Sequence, residues 1–456
     1  MRPSDADGLP DPAARRRVIP LVPEVGRFSG SPGAPGTAPA SRYAATAVPP
    51  DHPLADFLGD GPLSLPGPPP LSLYIHLPWC LRKCPYCDFN SHERAGLGDD
   101  GHLPPGLEAD YVRALIADLD AALPLVWGRP VISVFLGGGT PSLFQPQTLA
   151  DLLSAVRARL PLAPEAEITL EANPGTFESG RYAAYAQAGI NRLSIGVQSL
   201  NDTHLRALGR VHDAAQARAA VAEAQRHFER FNIDLMYALP GQELADLARD
   251  VDAVLALQPP HLSLYHLTLE RNTRFFSQPP EGLPDADLAS DMLDLILART
   301  ARAGLGRYEV SAFARSEALR CTHNLNYWAF GDYLGLGAGA HSKLSFAHRI
   351  WRQTRWREPQ QYMTQALAGR AVSSQDEVAP QHLPFEFMLN ALRLKDGVPH
   401  ALWAERTGLP PAHLATAWRK AAARGWVPDS PFPPRQWVTT PRGFDFLSDA
   451  QELFLP

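Results

Sequence analysis

Three cysteines within eight residues carry the sharpest chemical signal in the chain: Cys80, Cys84 and Cys87, in CLRKCPYC. Thiolates spaced C-x3-C-x2-C are soft ligands, suited to zinc or to an iron–sulfur cluster. A closed structural zinc site needs four ligands, so His76 or His92 would have to complete it. Three thiolates on a [4Fe-4S] cluster leave one iron open, and an open iron can bind a substrate directly. The whole chain has 4 cysteines, too few for a disulfide scaffold in 456 residues.

A second set of residues has the types a cofactor cradle needs. Gly137-Gly138-Gly139-Thr140-Pro141 is neither a P-loop nor a dinucleotide fingerprint. Glycine lacks a Cβ, so Gly138 and Gly139 allow close backbone approach to a ligand. Glu171, Gln198, Arg210 and Asp234 fall at, within or just after apolar runs further along. Each alone reads equally as a satisfied polar residue at a strand end.

The elements that position these residues follow from hydrophobic patterning. Apolar runs at 71–78, 131–139, 167–174, 192–199, 231–240 and 261–269 alternate with helix-length stretches. Several are rich in β-branched residues and end at Gly, Pro or Asn, as buried parallel strands do. Between them lie amphipathic stretches such as 108–123, with Val112, Leu115, Ile116, Leu119 and Leu123 at helical spacing. Six βα units in a row predict an α/β fold, a partial (β/α)6 barrel. In such folds ligands sit at the C-terminal ends of the strands, where nearly every residue above falls.

The flanks read differently. Residues 1–70 hold 16 of the 45 prolines and no sustained period, which predicts a disordered, dispensable extension or linker. The core spans 71–300 and an extension 301–379. Residues 380–456 show helical stretches at 384–394, 400–407 and 411–425. Then VPDSPFPPRQWVTT reads as two short strands before a final helix, which predicts a winged-helix-like α+β domain. That domain has 8 Lys+Arg against 7 Asp+Glu, no footprint for nucleic acid. The net charge of −6 and the absence of a long apolar run exclude nucleic-acid and membrane-spanning classes. Arg15, Arg16 and Arg17 precede a short apolar stretch broken by Pro20 and Pro23, which is no export signal. A cytoplasmic chain with reduced thiols is expected.

YIHLPWCLRKCPYCDFNSH, LGGGTPS, EANPG, NRLSIGVQSL, LGRVH, DLMYALPGQ and CTHNLNYWAFGDYLGLGAGAHS together resemble one group in the radical-SAM superfamily. That group contains the oxygen-independent coproporphyrinogen III oxidase and its haem-chaperone relative, HemW. The resemblance runs from about Leu71 to Pro456. Two features place it nearer the chaperone branch. The oxidase has a further cysteine two residues after the third ligand, where this chain has Phe89, and the chaperone branch carries HNxxYW, here His323 to Trp328. Ala238 stands where the group commonly has Gly.

The resemblance implies a [4Fe-4S] cluster on Cys80, Cys84 and Cys87, with S-adenosylmethionine on the open iron. Tyr74, Tyr86, Gly138, Gly139, Thr140, Glu171, Gln198, Arg210 and Asp234 would contact that cofactor. Haem would be the cargo, passed to haem-requiring membrane proteins, with peripheral membrane contact. His323, Cys321, His341, Tyr327 and Trp328 are its candidate contacts, His323 first. Two alternatives accompany this reading: an oxygen-independent coproporphyrinogen III dehydrogenase of haem biosynthesis, and a zinc-stabilised binding protein.

Overall fold

The computed structural model describes residues 54–94, 103–175 and 181–456. The six apolar runs become strands β1 (Leu71–Leu77), β2 (Val131–Gly138), β3 (Leu162–Ala172), β4 (Arg192–Gln198), β5 (Phe231–Tyr237) and β6 (His261–His266). They pair in sequence order, all parallel. The strands are buried on both faces but alternate in chemistry. Leu71, Leu73, Ile75 and Leu77 of β1 face the helical layer and are at most 1% exposed. The other face of the sheet is polar. There Ser72 pairs with Ser133, and Asn232 binds Ser194, Asp234 and His261. These buried polar groups are tolerated because they pair with one another.

The 301–379 extension continues the same sheet at both edges. Strands β7 (Gly306–Arg307) and β8 (Ala312–Ala314) add beyond β6. Strands β9 (Asp332–Leu336), β10 (His341–Ser345), β11 (Ile350–Arg355) and β12 (Val372–Glu377) add beyond β1. β9 runs parallel to β1, so the parallel part of the sheet has a strand more than the six expected. Two buried ion pairs lock this edge. Lys343 lies 3.0 Å from Asp332, and Arg355 lies 3.2 Å from Asp118 on the helix Pro105–Val126.

Two expectations need correction. Of residues 1–70, 1–53 lie outside the described residues, but 54–70 are placed and packed. Phe57 sits 5.4 Å from the Phe346 ring and 5.1 Å from Trp351, and Leu63 and Leu65 are buried in the C-terminal core. The Leu65 N–H donates to Ala347 O at 2.9 Å. Proline-rich composition hid these anchors because they are isolated apolar residues with no period. Burying one such side chain stabilises by about 1.5–3 kcal/mol. A chain beginning at Leu71 should therefore melt several degrees below one beginning at residue 54. Equal melting temperatures for both truncations in calorimetry would contradict this packing.

The second correction concerns the C-terminal wing. Helices form at Leu383–Ala391, Ala401–Thr407 and Ala415–Ala423, but VPDSPFPPRQWVTT does not fold into a hairpin. Its one strand, Gln436–Trp437, pairs antiparallel with Val398–Pro399. Pro428, Pro431, Pro433 and Pro434 remove the donors a hairpin ladder requires. Trp437 is fully buried against Trp418. The final helical segment is divided into Pro441–Asp445 and Leu447–Glu452. Among the described residues, no helix is long and apolar enough to cross a membrane.

Candidate functional site

The cysteine loop leaves the C-terminal end of β1. It is closed at its base where Trp79–Cys80 pairs with His92–Glu93. Within it the Cys87 N–H donates to Cys84 O at 3.1 Å. Each thiol meets one side chain brought by a different part of the chain. Thr140 Oγ1, just after β2, donates to Cys80 Sγ at 3.5 Å. Arg210 Nη1, after β4, donates to Cys84 Sγ at 3.6 Å. Ser91 Oγ, in the loop itself, lies 3.7 Å from Cys87 Sγ. Burial pushes the Cys80 thiol up to about 11, against the pull of Thr140 and Arg210.

The histidines that a zinc site would need are committed elsewhere. His76 Nδ1 is 2.9 Å from Tyr74 Oη and its Nε2 is 2.9 Å from Asn90 O. Burial lowers its pKa to about 4, so the ring is neutral. His92 Nε2 pairs with Asn90 Oδ1 at 3.3 Å. Among the described residues no group of three His, Cys, Asp or Glu side chains is spaced to hold a single metal ion. A cubane spreads its thiolates more widely than one zinc ion does, so this donor set fits a cluster better than zinc.

The glycine turn packs closely against its own neighbours. Gly138 has φ +116, and a Cβ there would sit 2.5 Å from the His76 ring; one on Gly139 would meet the Pro78 and Trp79 backbone within 2.8 Å. The Gly138 N–H donates to Glu171 Oε2 at 3.0 Å. Burial pushes the Glu171 carboxyl up to about 7, and the nearby Asp234 charge adds to the rise. Tyr74, Gly138, Gly139, Thr140, Glu171 and Arg210 thus gather beside the cysteine loop. Tyr86 packs on Phe275 at 6.4 Å and Gln198 takes a left-handed φ of 67 at the end of β4. Asp234 lies deeper, held by Ser194 Oγ at 3.1 Å and Asn232 Nδ2 at 2.8 Å, and burial raises its pKa.

Sequence reasoning missed Asn173. Its Nδ2 donates to Thr140 Oγ1 at 2.8 Å, and its Oδ1 accepts from Arg210 Nη2 at 2.5 Å. One amide therefore orients the donors to both Cys80 and Cys84. EANPG contains it, but an asparagine before proline at a strand end reads first as a turn residue.

The HNLNYW residues form the helix Thr322–Trp328, which closes the polar face of the sheet beneath this site. His323 is 2% exposed, with Nδ1 2.9 Å from Ser133 Oγ and Nε2 3.1 Å from Tyr327 Oη. Burial lowers its pKa to about 3. Both ring nitrogens are engaged, so ligating iron would require breaking one of these bonds. Cys321 is buried with its thiol 3.5 Å from Glu167 Oε1, and burial pushes that thiol up to about 12. Trp328 lies under the Arg393 guanidinium at 4.2 Å, and Tyr327 packs edge-on against Tyr333 at 4.5 Å. His341 stands apart from these. It is exposed at the start of β10, with Nδ1 3.2 Å from Thr354 Oγ1.

Comparison with known proteins places the chain in a family. The model of the Radical SAM superfamily matches residues 74–254, and that of the HemN C-terminal domain matches 378–446. The chain is 45% identical over 389 residues to "Heme chaperone HemW" of Escherichia coli (strain K12), covering 85% of this chain and 98% of that one. It is 41% identical to "Heme chaperone HemW" of Haemophilus influenzae, over 86% and 99%. It is 39% identical to "Radical S-adenosyl methionine domain-containing protein 1, mitochondrial" of Bos taurus, over 77% and 79%. The solved coproporphyrinogen III oxidase (HemN) from Escherichia coli superposes with a TM-score of 0.71, over 85% of this chain and 90% of that one. At 23% identity that likeness shows the fold alone.

Proposed function

The chain belongs to the radical SAM superfamily and, within it, to the family of the heme chaperone HemW, and from that premise we propose that it binds haem and hands it to haem-requiring proteins. The receivers would be membrane proteins, met by peripheral contact. Cys80, Cys84 and Cys87 would hold a [4Fe-4S] cluster, with S-adenosylmethionine at its open iron. The chemistry such a group supplies when bound is one-electron reduction of a sulfonium. Around it, Thr140, Arg210 and Ser91 offset thiolate charge with one donor each. Glu171 holds the Gly138 backbone in place for a ligand's amino group. Near neutrality its carboxyl is poised between protonation states.

One observation separates this reading from porphyrinogen oxidation. The position of the oxidase's extra cysteine is Phe89, 43% exposed, and the chain's remaining thiol, Cys321, is buried against Glu167. No other cysteine is available to replace it. The test is haem transfer. The haem-loaded chain is mixed with an excess of an apo haem protein, and the absorption bands are followed as they move to the acceptor. Transfer faster than passive haem release is expected; haem that stays on the chain, or leaves only at the passive rate, would contradict the proposal.

Asn173 gives a second test. Hydrogen bonds to cluster sulfurs raise the reduction potential. Asn173→Ala should leave iron and sulfide content intact but lower the midpoint potential, because Thr140 and Arg210 both lose their orienting partner. Asn173→Asp keeps the acceptor for Arg210 but adds a negative charge beside the cluster, so its midpoint should fall at least as far. An unmoved midpoint in a redox titration followed by electron paramagnetic resonance would remove Asn173 from this role.

A further inference from the structure

The polar face of the sheet holds a run of hydrogen bonds that leads into the candidate site from behind. It begins at the start of the HNLNYW helix, where the Cys321 N–H donates to Tyr308 Oη at 3.3 Å. Tyr308 Oη lies 2.9 Å from His261 Nε2. His261 Nδ1 lies 2.7 Å from Asn232 Oδ1, and Asn232 Nδ2 donates to Asp234 Oδ1 at 2.8 Å. Tyr308, His261 and Asn232 are each at most 2% exposed, whereas Asp234, at the end of the run, is half-buried.

The two ends fix the direction of every bond between them. A backbone N–H can only donate, and a carboxylate can only accept. Tyr308 Oη receives the Cys321 N–H and has its own proton left for His261 Nε2. That selects the tautomer with the proton on Nδ1, and Nδ1–H donates to Asn232 Oδ1. The Asn232 amide is thereby turned so that its NH2 group, and not its oxygen, meets Asp234. Ser263 Oγ reinforces the setting by donating to Asn232 Oδ1 at 2.9 Å. Ser194 Oγ accepts from Asn232 Nδ2 at 2.9 Å and donates to Asp234 Oδ2 at 3.1 Å. Burial and the Arg192 and Arg230 charges keep the His261 ring neutral, as this chain of donors requires. Donors aligned head to tail polarise one another toward the final acceptor.

We propose that Tyr308, His261 and Asn232 are positioning residues that hold Asp234 ionised as an acceptor for S-adenosylmethionine, their direction being set at the start of the HNLNYW helix. This rests on the cofactor reading of Asp234 above. The carboxylate needs such support. Burial raises its pKa, and the donors Asn232 and Ser194, the Arg192 charge and Ser263 oppose the rise. Glu171 and Tyr265 lie near it and bring no positive charge. Without the Tyr308 hydroxyl, the His261 tautomer is no longer selected. The other tautomer sets a lone pair against Asn232 Oδ1, and turning the amide to relieve this sets its oxygen against Asp234. A protonated Asp234 resolves that clash, so a broken relay raises the pKa of this carboxyl. Cofactor affinity is then kept above the raised value and lost as pH falls through it.

The experiment titrates S-adenosylmethionine calorimetrically into the anaerobically reconstituted full chain from about pH 5.5 to about pH 8. Tyr308→Phe, Asn232→Ala and Asp234→Asn are compared with the parent. The ratio of parent to variant affinity cancels the titration of Glu171 and of the ligand itself. For Tyr308→Phe and Asn232→Ala the ratio should be near one at the alkaline end and about ten-fold at the acid end, because each pKa unit gained is a factor of ten. Asp234→Asn should bind more weakly across the whole range. Melting temperature and iron content are read alongside, and Tyr308→Phe, which removes one hydroxyl, carries the test if Asn232→Ala does not fold. A loss of the same size at every pH, or no loss, in Tyr308→Phe would make the relay a packing feature and overturn the proposal. Parental affinity in Asp234→Asn would instead overturn the cofactor reading of Asp234 on which it rests.

Discussion

Replacing any one of Cys80, Cys84 or Cys87 with alanine is expected to abolish assembly of the iron–sulfur cluster. The three thiols share one loop, and each already meets a donor that could offset thiolate charge. Removing one leaves a second iron without a protein ligand, and among the described residues the nearby alternatives are committed elsewhere. His76 is held at both ring nitrogens and Cys321 is buried against Glu167. The loss should be near complete in iron and sulfide content and in visible absorbance after anaerobic reconstitution. The parent should take up four irons, and S-adenosylmethionine should perturb the spectrum of its reduced cluster. Stoichiometric zinc with no iron in the reconstituted parent would contradict the assignment.

Glu167→Ala is expected to be the most destabilising single change outside the hydrophobic core. Glu167 is fully buried on β3 and accepts from Arg230 Nη2 at 2.6 Å, from the His323 N–H at 3.1 Å and from the Thr322 N–H at 3.2 Å. It thereby fixes the start of the HNLNYW helix. Arg192, 3% exposed, lies 3.9 Å away and would be left as an unpaired buried charge. Breaking a buried pair from one side costs roughly 3–5 kcal/mol. Burial alone would raise the Glu167 pKa, but Arg192, Arg230 and the two backbone donors hold it below the usual carboxylate range. A folded-state pKa depressed in this way contributes stability above the unfolded carboxylate value. That contribution is lost as pH falls through the folded value. The variant should therefore show its full deficit near neutral pH and a shrinking one in acid, read as melting temperatures across pH. Melting with the parent at pH 7 would contradict the role given to this carboxylate.

The six core strands were readable because each pairs an apolar outer face with a turn signal at its end. The edges of the sheet were not. Val372–Glu377 is an almost wholly exposed strand with polar side chains, so neither run length nor alternation marks it. The sequence of the strand Asp332–Leu336, DYLGL, carries a glycine, which a strand reading disfavours. In the structure Gly335 is required, because the His341 backbone lies against it.

The candidate site was legible in part. Local spacing exposed the cysteines, and strand ends exposed Thr140, Glu171 and Arg210. Asn173 was hidden because its importance lies in two partners 33 and 37 residues away. The haem candidates came from a motif, and motif order ranked His323 first. In the structure both ring nitrogens of His323 have hydrogen-bond partners, Ser133 Oγ and Tyr327 Oη.

The central claim is that this radical-SAM chain carries haem rather than making its precursor. The most direct measurement supplies the anaerobically reconstituted protein with reductant and S-adenosylmethionine, and then with either haem or coproporphyrinogen III. Haem should be bound and passed to an apo acceptor, while coproporphyrinogen III is recovered unchanged. Turnover of coproporphyrinogen III to protoporphyrinogen IX by the purified protein would contradict it.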